Sequence, residues 1–428
     1  MRRPETTRVV APHRHGGAPH APARSFASTL ALVATPLRAP AAAPSDHEPL
    51  APLPYDVECA AKRDGLQRYW RAHRLPGLPE PLIASPRPRG YRTSSKRRVA
   101  IRNGTVSLFL GDRLPVRETA PFVASPLEPA EHAEIYGALR TTLNEPAFRP
   151  LAAHLHYLII RGSYAERAVV LNVDALSGPL VRKIKMLAEQ VRSLPLSALF
   201  VYLDPTRSNY HFESRRPDDA ITFKRIFGPD QLTARFAGCR YRYHPTSFSQ
   251  VNESIVPELL AHARALLAPQ ADEPLLDLYC GYGLFSHALA PAYTRVLGVD
   301  ADGPAIHAAA ANTALNPCGV PRRFLAARID RALVDRRLRP QDRETILLDP
   351  PRHGPQPGVI AALAQRRPRT VLHVFCDVDQ IPAALADWQA AGYHVRRVVP
   401  LDMFPGAANL EVLVLLTPAA AGHTGRRG

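Results

Sequence analysis

From about residue 245 onward, short apolar runs alternate with alanine-rich amphipathic stretches. The runs at 274–279, 295–299, 323–326, 345–349, 370–375, 394–400 and 411–416 read as strands. Helical patterns stand at 251–267, 303–315 and 357–365. Strands that are near-continuously apolar and separated by helices are buried on both faces. They predict a parallel, doubly wound sheet. No helix separates the last two runs, so an antiparallel hairpin is expected to close the sheet.

Between 55 and 240 the pattern is mixed. Runs rich in β-formers at 98–101, 105–110, 155–161, 168–173 and 197–203 alternate with helical ones. The clearest helix is 178–194, where Val181, Ile184, Leu187 and Val191 recur at helical spacing. Residues 1–54 hold ten prolines and only Glu5, Asp46 and Glu48 as acids, with no surviving hydrophobic period. The pattern thus predicts an α/β chain in four parts: a disordered basic extension (1–54), a smaller α+β domain (55–240), a Rossmann-like seven-stranded domain (241–418) and a disordered tail (419–428).

Charge adds a partner. The chain of 428 residues has 54 basic and 38 acidic side chains, a net charge of +16, and only five lysines among the basic residues. Such an excess fits a polyanion, most simply nucleic acid. The cluster Arg87-Pro88-Arg89-Gly90-Tyr91-Arg92 with Lys96-Arg97-Arg98 is either a solvated loop or a phosphate-tracking patch. Five scattered cysteines without a CxxC pair exclude a disulfide scaffold and a cysteine-rich zinc site. No run of eighteen apolar residues occurs, so no membrane span is expected. An arginine-rich, acid-poor N-terminus also suits an organellar transit peptide. Its prolines oppose the amphipathic helix such a peptide needs, and a bacterial cytoplasmic protein is the preferred reading.

Four motifs carry chemistry. In Asp277-Leu278-Tyr279-Cys280-Gly281-Tyr282-Gly283-Leu284-Phe285 a strand enters a glycine turn and then a helix, letting a ligand approach the backbone. The third glycine of a dinucleotide fingerprint is replaced by Ser286, which favours a nucleoside ligand without a pyrophosphate. Asp300, ending the next strand, suits ribose hydroxyls or else a helix N-cap. Asp349-Pro350-Pro351-Arg352-His353-Gly354 forms a stiff turn at the carboxyl edge of the sheet, where such folds bind ligands. An aromatic at the fourth position would suit amino-group methylation, and Arg352 argues against it. Cys376 follows the fifth strand and Glu411 opens the last. Taken alone, a cysteine there is more often buried filler, and an acid there is just a strand-edge charge.

Together with Ser247-Phe248-Ser249-Gln250-Val251-Asn252 and Asp402-Met403-Phe404-Pro405, these motifs resemble the RNA uracil-C5 methyltransferases, which form 5-methyluridine in tRNA and rRNA. The resemblance implies S-adenosylmethionine as cofactor, with Gln250, Tyr279, Gly281, Gly283, Asp300 and Asp349 around it. It implies Cys376 as nucleophile and Glu411 as proton acceptor. The chain departs from the family in Asp377-Val378 after the cysteine, in Asn409 two residues before the glutamate and in Leu284 in the glycine loop. Some members carry a four-cysteine iron–sulfur cluster. Only Cys59 lies in the N-terminal region here, so none is expected.

The chemistry accounts for the residue types. Uracil C5 is a poor nucleophile until a thiolate adds to C6 and makes the ring an enolate. After methylation, a base must remove the C5 proton so that the cysteine can leave. A nearby cation such as Arg352 favours the thiolate. The target base must leave its stack, with Phe248 or Tyr279 either stacking on it or packing in the core. The expected protein is an RNA-binding, monomeric RNA (uracil-C5)-methyltransferase. The alternatives are a silent RNA-binding relative and a methyltransferase acting on base amino groups or DNA.

Overall fold

The computed structural model describes residues 24–37, 47–111, 122, 124–207, 222–341 and 343–419. Two helices open it, α1 (Phe26–Ala34) and α2 (Tyr55–Ala72). An α+β unit follows, with β1 (Ser95–Arg102), β2 (Thr105–Leu110), α3 (Ala130–Asn144), a single turn α4 (Arg149–Ala152), β3 (Leu155–Gly162), β4 (Arg167–Val173), α5 (Gly178–Val191), β5 (Ala198–Leu203) and β6 (Thr222–Phe227). The order β2-β1-β3-β4-β5-β6 makes a six-stranded sheet. Helices α3 and α5 cover one of its faces. The apolar stripe of Leu180, Ile184, Leu187 and Val191 fixes how α5 sits.

A small hairpin, β7 (Leu232–Phe236) and β8 (Cys239–Tyr243), leads to α6 (Val256–Leu267). The remaining elements alternate: β9 (Pro274–Leu278), α7 (Leu284–Leu289), β10 (Arg295–Asp300), α8 (Pro304–Leu315), β11 (Arg322–Ala326), α9 (Arg331–Arg336), β12 (Thr345–Leu348), α10 (Val359–Gln365), β13 (Thr370–Phe375), α11 (Ile381–Ala390), β14 (Tyr393–Leu401) and β15 (Glu411–Pro418). All seven expected strands form, within two residues at each end. Their order is β11-β10-β9-β12-β13-β15-β14. β15 runs antiparallel to both β13 and β14 and lies between them. The expected hairpin exists, but its second strand is interior rather than an edge.

Three boundaries differ from the sequence reading. Residues 24–37 and 47–54 do not belong to a structureless extension. Phe26, Leu30 and Ala34 recur every four residues, are almost fully buried, and join the core formed with α2 and one face of the seven-stranded sheet. The prolines around this nine-residue stripe hid it in the composition. Residues 1–23, 38–46 and 420–428, also expected to be disordered, lie outside the described residues.

The region 55–83 packs with the C-terminal sheet rather than with the α+β unit. Backbone bridges join Pro79 to Val398 and Ile83 to Leu401, so this stretch extends the β14 edge. The β7–β8 hairpin likewise docks on α8. Asn312 and Asn316 each exchange two backbone hydrogen bonds, with Arg242 and Arg240 respectively. The structural boundary therefore falls before 232 rather than at 240.

Three residues of the basic cluster are tied into the fold. Arg97 is fully buried in a bidentate pair with Glu128, Arg89 binds Glu58, and the Tyr91 hydroxyl donates to the Pro405 carbonyl at 2.9 Å. Sequence offered a solvated loop or a phosphate patch. The structure makes these three residues structural ties.

Candidate functional site

The carboxyl ends of β9, β10, β12 and β13 meet the amino end of β15. At β9 the chain turns through Tyr279 (φ 63°), Gly281 (φ 54°) and Gly283 (φ 87°). Left-handed backbone at a bulky tyrosine is strained, as is common where a ligand site dictates the turn. A Cβ on Gly281 would meet nothing within 4 Å, so the loop is open there, whereas one on Gly283 would strike His287 at 2.8 Å.

Asp300 does not cap α8, whose N-cap is Gly303. Its carboxylate instead accepts the Gly281 N–H at 2.7 Å and the Ala301 N–H at 2.6 Å. Asp277 is fully buried and accepts the Ser286 hydroxyl at 2.5 Å, while its other oxygen and the Tyr279 hydroxyl have no partner among the described residues. The serine that replaces the third glycine thus holds the first carboxylate of the motif.

Burial raises the carboxyl pKa of Asp277, Asp300 and Asp349. The Asp300 charge adds to the rise at Asp277, and Asp277 and Asp300 add to that at Asp349. Three acids crowded at one strand edge favour a ligand carrying positive charge and hydroxyl donors.

Strand register brings the expected reactive pair together. The β13–β15 ladder runs from Val371 opposite Leu416 to Phe375 opposite Val412. Continued by one position, it places Cys376 opposite Glu411, with both side chains on the same face. Glu411 is only 2% exposed, and the Cys376 thiol points to the Pro350 carbonyl at 3.8 Å.

Burial, then the Glu411 and Asp349 charges, pushes the Cys376 thiol up, while Arg352 pulls it down. Burial and Asp349 raise Glu411, again opposed by Arg352. The cation that sequence placed near the thiol therefore acts on both groups.

Sequence missed the ties behind this pair. The Asn409 amide donates to the Cys376 carbonyl at 2.7 Å, joining the two strand ends directly. Lys62 on α2 is fully buried. Its ammonium reaches Asp402 at 2.7 Å, the Phe404 carbonyl at 2.9 Å and Glu58 at 2.9 Å. Glu58 also accepts the Gly406 N–H. A lone lysine in a helix gives no sign in sequence of a partner 340 residues away.

Gln250 is buried in a loop anchored by Arg161, whose guanidinium donates to the carbonyls of Pro245 and Ser247 and to the Ser249 hydroxyl. Phe248 in that loop is 55% exposed, so it is not core packing, whereas Tyr279 packs partly against the core. Among the described residues no group of three or more His, Cys, Asp or Glu could hold a metal ion. All five cysteines are free, and among the described residues no helix is long and apolar enough to cross a membrane.

The chain is similar to known proteins. An RNA methyltransferase of Thermosynechococcus vestitus, itself described as uncharacterized, is 29% identical over 380 residues, which are 85% of this chain and 80% of that one. The 23S rRNA (uracil(1939)-C(5))-methyltransferase RlmD of Pseudomonas aeruginosa is 35% identical over 175 residues, covering 40% of this chain and 38% of its own. The tRNA (uracil-54, C5)-methyltransferase of Pyrococcus abyssi, solved with S-adenosyl-L-homocysteine, superposes with a TM-score of 0.66. It is 22% identical and covers 86% of this chain and 85% of that one, which establishes the shared fold. The family model described as tRNA (Uracil-5-)-methyltransferase matches residues 206–419, half of the chain, including Gln250, the glycine turn, the proline turn, Cys376 and Glu411. With that match, and with the strand order that sets Cys376 against Glu411, the chain belongs to the tRNA (uracil-5-)-methyltransferase family.

Proposed function

We propose that the protein methylates C5 of a uridine in tRNA or rRNA, using S-adenosylmethionine and a transient bond between Cys376 and C6 of the base. The observation that carries this reading is the register that sets a thiol and a buried carboxyl on one face, with Arg352 close enough to influence both.

The residues around the glycine turn suit the cofactor. The open turn at Gly281 admits a nucleoside, Asp300 keeps lone pairs for ribose hydroxyls, and the crowded acids with the orphaned Asp277 oxygen and Tyr279 hydroxyl suit a cationic ligand. Gln250, Tyr279, Gly281, Gly283, Asp300 and Asp349 are the residues that would hold it. When bound, it supplies the electrophilic methyl group.

Cys376 adds to C6 as the thiolate, which the Arg352 guanidinium favours, and the ring gains nucleophilic character at C5. Glu411 in its charged form then takes the C5 proton, the C5–C6 double bond returns and the thiolate leaves. Buried and near Asp349, Glu411 has a raised proton affinity, which suits a group that must accept a proton from carbon.

An RNA partner is supported by charge. Lys185 on α5, Arg192 at its C-cap and Arg225 on β6 line an exposed groove of about 450 Å³ together with Met186, Ala188, Glu189 and Ile226. Glu189 and Asp230 are the acids paired there, so the groove keeps a positive excess.

The test is incubation with methyl-labelled S-adenosylmethionine and RNA lacking 5-methyluridine, then digestion to nucleosides. Label in 5-methyluridine is expected. Label in a methylated amino group, or no transfer, would overturn the reading.

A further inference from the structure

Helix α1 occupies a segment whose composition predicts disorder, and its first turn stands beside the loop that follows Cys376. Four N–H groups at a helix start have no partner inside the helix. Ser25 accepts that of Ser28, and the Phe26 N–H donates to Asp379 Oδ1 at 2.7 Å across 353 residues of chain. Asp379 lies three residues beyond Cys376, in the turn Val378–Gln380 that opens α11, and its own N–H is held by Asp377 at 3.0 Å.

The helix is anchored well enough to hold that turn. Phe26 packs edge-on against Tyr69 with ring centroids 5.9 Å apart. Leu30 sits so close to Gly65 that a Cβ there would meet its Cδ1 at 3.1 Å, and Ala34 is fully buried. The Arg24 carbonyl lies 3.3 Å from His73 Nε2. Below α1, α2 grips the 402–410 loop that precedes Glu411 through Lys62 and Glu58. The same helical pair thus touches the chain just after the thiol and the chain just before the carboxyl, while Asn409 ties the two together.

We infer that α1 is a positioning element of the active centre, acting through Asp379 to fix the direction of the Cys376 thiol against Glu411. This rests on the C5-methylation reading. Asp377 and Asp379, in the stretch where the chain departs from the family, gain a role as the seat of α1. Displacing a reacting atom by about 1 Å can cost on the order of 10²-fold in rate.

Asp379 is exposed, so replacing it leaves the core intact. Asp379→Ala removes the acceptor for Phe26 N–H, Asp379→Asn keeps an acceptor without the charge, and Leu30→Glu unseats the helix. Two readouts apply. One is the single-turnover rate at saturating S-adenosylmethionine on an RNA transcript that the unaltered protein methylates, with cofactor affinity measured by calorimetry. The other needs no turnover: alkylation of Cys376 by iodoacetamide, mapped by peptide mass.

Asp379→Ala and Leu30→Glu should slow methyl transfer by about 10- to 100-fold with cofactor affinity unchanged. Both should also alkylate Cys376 faster, whereas Asp379→Asn stays close to the unaltered protein in each assay. Unchanged alkylation and turnover in Asp379→Ala would overturn the inference. So would an Asp379→Asn protein as impaired as Asp379→Ala, because charge rather than the tether would then matter. If the unaltered protein transferred no methyl group, the C5 reading would fail, and the alkylation series would still decide the role of α1.

Discussion

Replacing Lys62 by methionine should destabilise the methyltransferase domain by about 3–5 kcal/mol, the usual cost of stripping one partner from a buried ion pair. The structure argues for the upper part of that range. Lys62, Glu58 and Asp402 are all fully buried, and the ammonium donates to both carboxylates and to the Phe404 carbonyl. Without it, Glu58 keeps Arg89 and the Gly406 N–H, but Asp402 keeps only the Tyr55 hydroxyl at 3.1 Å.

The loss should depend on pH. Burial already raises the folded-state pKa of Asp402, and Lys62 is what holds it down. In the variant that pKa rises further above its unfolded value, so the folded state binds the extra proton and stability grows as pH falls. The deficit should therefore be larger at pH 8 than at pH 5.5.

Both tryptophans, Trp70 and Trp388, lie in the core shared by α2 and the seven-stranded sheet, so urea unfolding followed by tryptophan fluorescence reports this unit. At about 2–4 °C per kcal/mol for a domain of this size, the melting temperature should fall by roughly 6–20 °C. Adding Asp402→Asn to Lys62→Met should recover part of it. A loss below about 1 kcal/mol, or one that deepens toward acid, would refute the reasoning.

The reaction itself gives sharper tests. Glu411→Gln should stall after methyl transfer, leaving a methyl-labelled protein–RNA band on a denaturing gel, because general-base help is worth roughly 10²–10⁴-fold; the band should be absent when Cys376→Ala is added. Cys376→Ala alone should abolish methylation and keep cofactor binding, measured by calorimetry. Because burial and three carboxylates push the thiol up while Arg352 pulls it down, the rate should climb with pH through neutrality, and Arg352→Ala should move that climb to higher pH in a pH–rate profile. Changing Lys185, Arg192 and Arg225 together to Glu should raise the KM for RNA and flatten the log–log salt dependence by about 0.7 to 0.9 per lost phosphate contact.

Much of the doubly wound domain was legible because its strands are short apolar runs bounded by helices, a pattern that survives without knowledge of neighbours. The position of β15 was not. Its sequence is equally that of an edge strand, and only the ladder with β13 reveals that Cys376 and Glu411 oppose one another. Helix α1 failed for a related reason. Nine residues with three buried apolar side chains are too few to stand out among prolines, and their partners, Gly65 and Tyr69, lie in another helix. The inward turn of Arg97 and Arg89 shows that charge clusters in sequence do not reveal which way they face. Their acids, Glu128 and Glu58, are 31 residues away on either side.

The interior place of β15 also governs when the site can exist. β14 pairs only with β15 within the sheet, so the stretch 393–401 has no strand partner other than its short bridges to Pro79 and Ile83 until β15 slots in. During synthesis the chain reaches Cys376 well before Glu411, and a thiol able to add to uracil without a base to release it would hold RNA in a dead-end bond. Here the Cys376 carbonyl takes its tie to Asn409 from the same late segment that brings the carboxyl. Non-local pairing of this kind forms slowly, so a site that uses both Cys376 and Glu411, as proposed, is complete only once β15 has taken its place between β13 and β14.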